Sequence, residues 1–387
     1  LKSKPISFAC EENKDMESYP FGSGRPDPAS FPNRELGEAA MRILPEMGNT
    51  LALYPGSLGY QPLRQLMADR LLKREGVAPP VEEIALTNGS MQAVTLMAQM
   101  FIDQPGDGVV MEEFCYSGTI GAYSKEGAEL VGIPVDEGGM RMDALADELK
   151  KRADAGKLPK FIYVLATFQN PTGAIMPLER RKELLQIAGQ YELPVVEDHC
   201  YADTVYEEDY YVPSLYTLPS EVPVVHIESL SKILGPGVRL GCFFTKQPLL
   251  GKILQIRRDG GTSSLAAAVV YEYFREHLWT HVNQINTIVK EKRDLMFELL
   301  GQFSDAFNWF SRPKGGLFIW VKLPDGTDVV KCEQMAEDRG IDYATGKAFH
   351  VHRDDVPYLR LAFGFASLEH IREGIPKLAE CVMANQG

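Results

Sequence analysis

Basic residues are in short supply: 40 Lys and Arg stand against 53 Asp and Glu, a net charge of −13 with a pI near 5.1. That balance argues against broad contact with nucleic acid or an anionic membrane. Long apolar runs are missing as well. None approaches a transmembrane helix, and the opening LKSKPISFACEENKDMESYP has no signal-peptide pattern. Only six cysteines occur (Cys10, Cys115, Cys200, Cys242, Cys332, Cys381), without paired spacing. They read as reduced thiols, not as a disulfide framework or a zinc site, so a cytoplasmic protein without a bound metal is expected. Internal repeats, low-complexity tracts and long charge blocks are absent too. What remains is an ordinary globular composition, 45% hydrophobic and 24% charged over 387 residues. The length suggests about two domains and a core large enough for an enzyme with a buried site.

Strand-like and helix-like runs alternate through the middle of the chain. EEIALTNG reads as a strand entering a turn, followed by a helix with Val94, Met97, Ala98 and Phe101 on one face. GVVMEE, FIYVLA, PVVED, PVVHIES and RLGCFFT are further strands, apolar on both faces. After FIYVLA, Leu184, Ile187, Ala188 and Tyr191 mark a helix. The pattern predicts an α/β fold, a mainly parallel sheet with helices on both sides. A long helical pattern from about Leu278 to Phe303 breaks the rhythm. GGLFIWVKLP, YLRLAF and a last helix follow, as a smaller α+β unit. The proline-rich stretch before about Leu36 is irregular and must lean on something else.

In such sheets ligands gather at the C-terminal strand ends, where the polar residues of this sequence also collect. Asn88-Gly89-Ser90-Met91 ends a strand and opens a helix, which makes a phosphate seat; alone, Ser90 would read as a plain N-cap. In FQNPTG, Asn170 precedes a proline and is kept out of the helical region, so its amide can point into a cleft. A plain turn would look the same. Asp198 ends the strand of VVEDHCY, as a loop residue or as a buried anion in need of a cation. In ESLSKILGPGVRLG, Lys232 is either a solvated charge or an amine held in a site. Together these residues fit pyridoxal 5'-phosphate. Lys232 supplies the amine and Asp198 the anion for the ring nitrogen. Ser229, Ser231, Arg239 and the Ser90 helix end supply the phosphate contacts.

From about Phe21 to Cys381, the segments LYPGSLGYQPLR, LTNGSMQA, FQNPTG, VVEDHCY, SLSKILGPGVRLG, RPKGGLFIWVKLP and YLRLAF occur in this order. The chain thereby resembles the class I/II aminotransferases of pyridoxal phosphate fold type I, nearest the 2-aminoadipate and kynurenine aminotransferase branch. The resemblance implies Lys232 as Schiff-base lysine and general acid/base, and Asp198 on the pyridine nitrogen. It implies Asn170 and Tyr201 at the phenolic oxygen and Tyr116 stacked on the ring. Gly89, Ser90, Met91, Ser229, Ser231 and Arg239 would line the phosphate. Tyr54 would reach the phosphate of a partner subunit, which implies a homodimer. Arg360 would grip the substrate α-carboxylate, with Gly24, Arg25 and Asn170 also near the substrate. By strand alternation alone, Arg360 in YLRLA would point outward. The expected units are 37–275, carrying the cofactor, and 1–36 with 276–387, a smaller unit with a substrate-covering segment. The expected reaction carries the amino group of an L-amino acid to a 2-oxo acid.

Some residues depart from the family pattern. Met91 stands where glutamine is frequent, and Ser23 and Arg25 stand where small or apolar residues are usual. Ala344-Thr345-Gly346-Lys347 replaces a proline-glycine turn, with His350 and His352 after it and no carboxylate-histidine cluster evident. Arg25 could pair with Asp27, or meet a polar group on a substrate side chain. Because one fold hosts several chemistries, elimination, replacement or cyclisation at the β or γ carbon is the alternative outcome. A DNA-binding regulator with an aminotransferase-like domain ranks below both, since about twenty residues precede the matching region and the chain is acidic.

Overall fold

The computed structural model describes residues 18–207 and 211–387. Cys10 lies outside them, and the other five cysteines are buried and unpaired. Seven strands form the main sheet: β1 Ile84–Thr87, β2 Gly108–Glu112, β3 Glu129–Ile133, β4 Phe161–Val164, β5 Val195–Asp198, β6 Val224–Ser229 and β7 Gly241–Phe244. Their order is β1-β7-β6-β5-β4-β2-β3. β7 runs antiparallel to both neighbours, and the remaining pairs are parallel.

The doubly apolar strands follow from what covers them. On one face Val109, Met111, Val196 and Val225 pack with α3 (Ser90–Phe101), α4 (Ser117–Lys125) and α7 (Leu249–Ile256). On the other, Val110, Ile162 and Val195 pack with α5 (Met142–Asp154) and α6 (Leu178–Gln190). Ahead of the sheet, α1 spans Asn33–Glu46 and α2 spans Gln61–Glu75.

The long helix, α8, runs Ser264–Gln302 and begins well before Leu278. Its apolar period continues upstream through Ala267, Val270 and Phe274. The start is fixed by Ser263, whose side chain accepts from the Ala266 N–H, so the small polar stretch after Gly260 is a helix cap. Beyond α8 come β8 Trp309–Phe310, β9 Phe318–Lys322, α9 Val329–Asp338, β10 Ala344–Thr345, β11 Tyr358–Ala362 and α10 Leu368–Met383. The four strands form an antiparallel sheet, ordered β8-β9-β11-β10. The N-terminal stretch leans on this unit. Tyr19–Pro20 pairs in parallel with Ile341–Asp342, the Phe21 N–H donates to Asp342 O, and the Ala362 N–H donates to Phe21 O. Phe21 is wholly buried as a result.

Candidate active site

The turn between β1 and α3 needs glycine. Gly89 has φ +79, and a Cβ there would lie 2.8 Å from the Arg239 guanidinium. Gly89, and not Ser90, is the N-cap, with no side-chain capping bond. The first-turn N–H groups of Ser90 and Met91 therefore have no intrahelical acceptor. Gly241 on β7 closes this seat from below, since a Cβ there would lie 2.8 Å from the Ser90 nitrogen. Arg239, in the left-handed region at φ +54, is held by Nη2 donating to Asn88 O at 3.0 Å and Nη1 to Pro236 O at 3.2 Å. Ser229 ends β6, and its Oγ accepts from the Ser231 N–H at 3.1 Å. Gly89, Gly241 and Arg239 thus lie together at the helix start, and Ser229 is the cross-strand partner of Gly241, groups that suit an anion.

Asp198 ends β5 and is buried. Its Oδ2 accepts from Tyr163 Oη at 2.8 Å and its Oδ1 from the Cys200 N–H at 3.2 Å. Burial pushes its pKa above the ordinary carboxylate value; the Cys200 thiol, these two donors and the Lys232 charge act the other way. Lys232 lies in the turn after β6. Its Nζ donates to Gly24 O at 2.8 Å and lies 5.5 Å from the Tyr201 ring centre. Burial, with Arg360 nearby, lowers its pKa to about 8, against the opposing pull of Cys200 and Asp198.

Tyr201 and Asn170 lie side by side, with Asn170 Nδ2 3.4 Å from Tyr201 Oη. Asn170 Oδ1 accepts from Arg360 Nη1 at 2.9 Å, and Arg360 Nη2 donates to Gly22 O. Arg360 does not point outward. It is buried between the Phe318 and Phe349 rings, 4.1 and 4.6 Å from their centres, and its Nε–H has no acceptor among the described residues. Burial lowers its pKa to about 10, so it stays charged at neutral pH. A buried guanidinium with no carboxylate against it can take a carboxylate from a ligand.

The other expected residues divide. Tyr116 caps α4, half exposed, and its ring lies 2.5 Å from where a Gly118 Cβ would be. Gly24 has no room for a side chain, since a Cβ would lie 2.4 Å from the Phe318 ring, and its carbonyl holds Lys232. Met91 is half-buried on α3, packed against the sheet. Arg25 is exposed and stacks 4.0 Å over Phe365. It does not pair with Asp27, because Asp27 takes Lys292 at 2.7 Å and caps the turn at Pro28–Ser30. Tyr54 is 91% exposed and lies beside Gly260. Lys347 pairs with Asp355 at 3.0 Å. The histidine pair is not free of carboxylates, as His350 stands 3.5 Å from Glu113 and 3.4 Å from Asp354.

Sequence reasoning missed two supports. Glu112, at the end of β2, accepts from the Leu165 N–H at 3.1 Å and is also held by the Gln169 side chain. Burial pushes this carboxyl up to about 8. Beyond it, Gln169 donates to Phe114 O at 2.6 Å and accepts from the Thr172 N–H at 2.8 Å, which fixes the Asn170 turn.

The second is a buried ionic layer beneath the Lys232 turn. Arg70 donates to Asp203 and Glu228, each at 2.6 Å, and Arg74 pairs with Asp203, Glu228 and Glu75. His226 faces Glu197 with Nδ1 at 2.9 Å and Glu228 with Nε2 at 3.1 Å. Both ring nitrogens meet carboxylates, so both donate and the ring is an imidazolium. Burial would lower its pKa, but the two carboxylates raise it to about 9. Burial pushes neighbouring His199 well down, so it is neutral. His199, His226 and Glu228 bring donor atoms within 4.8 Å of one another. These donors are already committed to arginine and glutamate. A period-two signal was available, since His226 and Glu228 break an apolar strand on one face.

The residues fit a phosphorylated pyridine aldehyde. Gly89 and Gly241 leave no space for side chains beside the α3 start and Arg239, groups that suit a phosphate. Asp198 is a buried carboxylate in need of a cation, and Lys232 is an amine depressed toward its neutral form. The family model described as aminotransferase class I and II matches residues 20–377. The chain is 34% identical to aromatic-amino-acid aminotransferase 1 of Thermococcus litoralis, across 99% of this chain and 92% of that one. It matches the alpha-aminoadipate aminotransferase LysN of Thermus thermophilus, complexed with N-(5'-phosphopyridoxyl)-L-leucine, with a TM-score of 0.87. There the identity is 32%, over 95% of this chain and 92% of that one. With kynurenine aminotransferase of Pyrococcus horikoshii, in complex with PMP, the TM-score is 0.89 and the identity 32%, over 96% and 92%. The chain belongs to the class I and II aminotransferase family, with the fold type I architecture, and its cofactor is pyridoxal 5'-phosphate.

Proposed function

We propose that this aminotransferase works through Lys232 as proton carrier, Asp198 as the anion on the cofactor ring nitrogen and Arg360 as the α-carboxylate anchor. The observation that carries the reading is the meeting of a depressed lysine amine, a buried aspartate and an open helix start in one cleft walled by Arg360. Bound pyridoxal 5'-phosphate supplies the aldehyde that takes up the amino group and the ring that receives the electron pair from Cα. Lys232 takes the Cα proton and returns it on the cofactor side. With a pKa of about 8, roughly a tenth of it is neutral at pH 7. Arg360 orients the substrate with its fork, exchanging the Asn170 and Gly22 contacts for the α-carboxylate. The aromatic walls of Phe318 and Phe349 exclude water and strengthen that pair.

Residues 37–275 hold the cofactor, and the second unit, 1–36 with 276–387, of which 1–17 lie outside the described residues, covers the substrate side; α8 crosses this division as one continuous helix. A homodimer is supported by the exposed apolar surface of Met41, Leu51, Leu53 and Tyr54, from which Tyr54 would reach the phosphate seat of a second copy. Five unpaired, buried cysteines suit a reducing, cytoplasmic setting. No helix among the described residues is long and apolar enough to cross a membrane.

For the substrate, Arg25 is the discriminating residue. Among the described residues it makes no ion pair, and it sits in the loop whose Gly24 carbonyl holds Lys232. A distal carboxylate on the substrate would give it a counter-charge, which favours a dicarboxylic amino acid such as 2-aminoadipate or glutamate. The test is a panel of acidic, aromatic and aliphatic amino acids added to the yellow holoenzyme. Mass spectrometry should find the matching 2-oxo acid and pyridoxamine phosphate. Release of a leaving group without pyridoxamine phosphate would overturn the reading.

A further inference from the structure

The proposed function places Asp198 on the ring nitrogen, and any role for the groups that hold Asp198 rests on that assignment. A buried carboxylate does this work only while it is charged, and burial in this pocket pushes its proton affinity up. Its donors are therefore decisive. One residue, Cys200, gives two of them, its N–H on Oδ1 at 3.2 Å and its thiol. The other is a side chain outside the expected site, Tyr163, whose hydroxyl donates to Oδ2 at 2.8 Å.

Tyr163 lies in β4, next to β5, with Val196 as its cross-strand partner. Period-two alternation puts Tyr163, Val196 and Asp198 on the same face of the sheet. Its side chain is fully buried, and the Tyr123 ring meets it edge-on at 5.6 Å. The Tyr163 hydroxyl has one proton, which Asp198 takes. The Thr119 hydroxyl, 3.2 Å away and also fully buried, then donates to the Tyr163 oxygen. Thr119 lies in the first turn of α4, the helix capped by Tyr116. A relay of two hydroxyls thus runs from that helix to the carboxylate. Hydrogen bonds in such a chain polarise one another, and a charged acceptor gains most from them.

We propose that Tyr163 is a positioning residue: held by Thr119, its hydroxyl keeps the Asp198 carboxylate charged and turned toward the ring nitrogen of the cofactor. Without it, Asp198 keeps only the Cys200 N–H and thiol, takes up a proton more readily and loses the donor that fixes Oδ2.

The test compares binding of pyridoxal 5'-phosphate and of its 1-deaza analogue, with carbon in place of the ring nitrogen, to apoenzyme at neutral pH. The ratio of the two affinities reads the contact with Asp198; a general loss of packing would weaken both ligands alike. Tyr163→Phe should lower the ratio about tenfold and leave analogue affinity within about twofold, as loss of one hydrogen bond to a charged group requires. Thr119→Val should lower it by about threefold. It carries the test alone if Tyr163→Phe does not give the wild-type circular dichroism spectrum. An unchanged ratio, or equal weakening of both ligands, overturns the proposal. Asp198→Ala distinguishes this from failure of the underlying assignment. It should abolish the preference for nitrogen, and a preserved preference would remove Asp198 from the ring nitrogen and the proposal with it.

Discussion

Replacing His226 by leucine tests the buried ionic layer. Four cations, Arg70, Arg74, Arg181 and His226, meet four carboxylates, Glu75, Glu197, Asp203 and Glu228. The charges balance only with His226 protonated. His226→Leu leaves Glu197 and Glu228 short of a shared counter-ion in a site closed to water. Removing one partner of such a pair costs about 3–5 kcal/mol. An unfolding entropy of about 2.1 cal/mol/K per residue over 387 residues is about 0.8 kcal/mol/K, so a loss of ~4 kcal/mol lowers Tm by about 5 °C.

The pH dependence separates charge from packing. The folded pKa of His226, about 9, lies above its ordinary value of 6.5. Its contribution is therefore fully present below pH 6.5 and fades as pH rises through 9. The shift corresponds to roughly 3 kcal/mol. Glu197, held down to about 2 chiefly by His226, reports the same interaction from the other side and is not counted again. Thermal unfolding of both holoproteins, with equal excess cofactor, should show the largest Tm gap at pH 6 and a smaller one at pH 9.5. A gap independent of pH would mean that the imidazole acts through packing alone. No gap at either pH would show that the layer absorbs the loss of its fourth cation.

Lys232→Ala should abolish turnover and the yellow band of the bound cofactor, and full activity without added amine would remove Lys232 from the chemistry. Arg360→Ala should raise KM about 10- to 100-fold for every amino acid, since the charged fork is lost; steady-state kinetics on three substrate classes check this, and loss on one class alone would reassign the residue to side-chain reading. Arg25→Leu should cost orders of magnitude in kcat/KM on dicarboxylic substrates and spare aromatic or aliphatic ones. Assays at two salt concentrations check this, and equal losses on both classes would leave Arg25 no part in specificity.

The parts of the site that were legible in the sequence are local. Gly89, Asn170, Asp198 and Lys232 each stand within a few residues of the start of a polar break that ends an apolar run, so the strand ends announced themselves and the cofactor chemistry followed. Arg25 was legible only as a choice, and the structure decided half of it by giving Asp27 to Lys292. Tyr163 was hidden by its company. Inside FIYV an aromatic residue reads as core, and only the pairing of β4 with β5 brings its hydroxyl to Asp198. The ionic layer was hidden by distance along the chain. Arg70 and Glu228 lie far apart in sequence, and Glu197 faces His226 only because β5 and β6 are neighbours. Helix α2, which carries Arg70 and Arg74, is tied through this layer to Asp203, just past Tyr201, and to Glu228, just before Ser229. Three segments far apart in sequence, two of them next to proposed site residues, thus share one set of buried charges. Such an arrangement leaves no local spacing to read, because its geometry exists only once the sheet has formed.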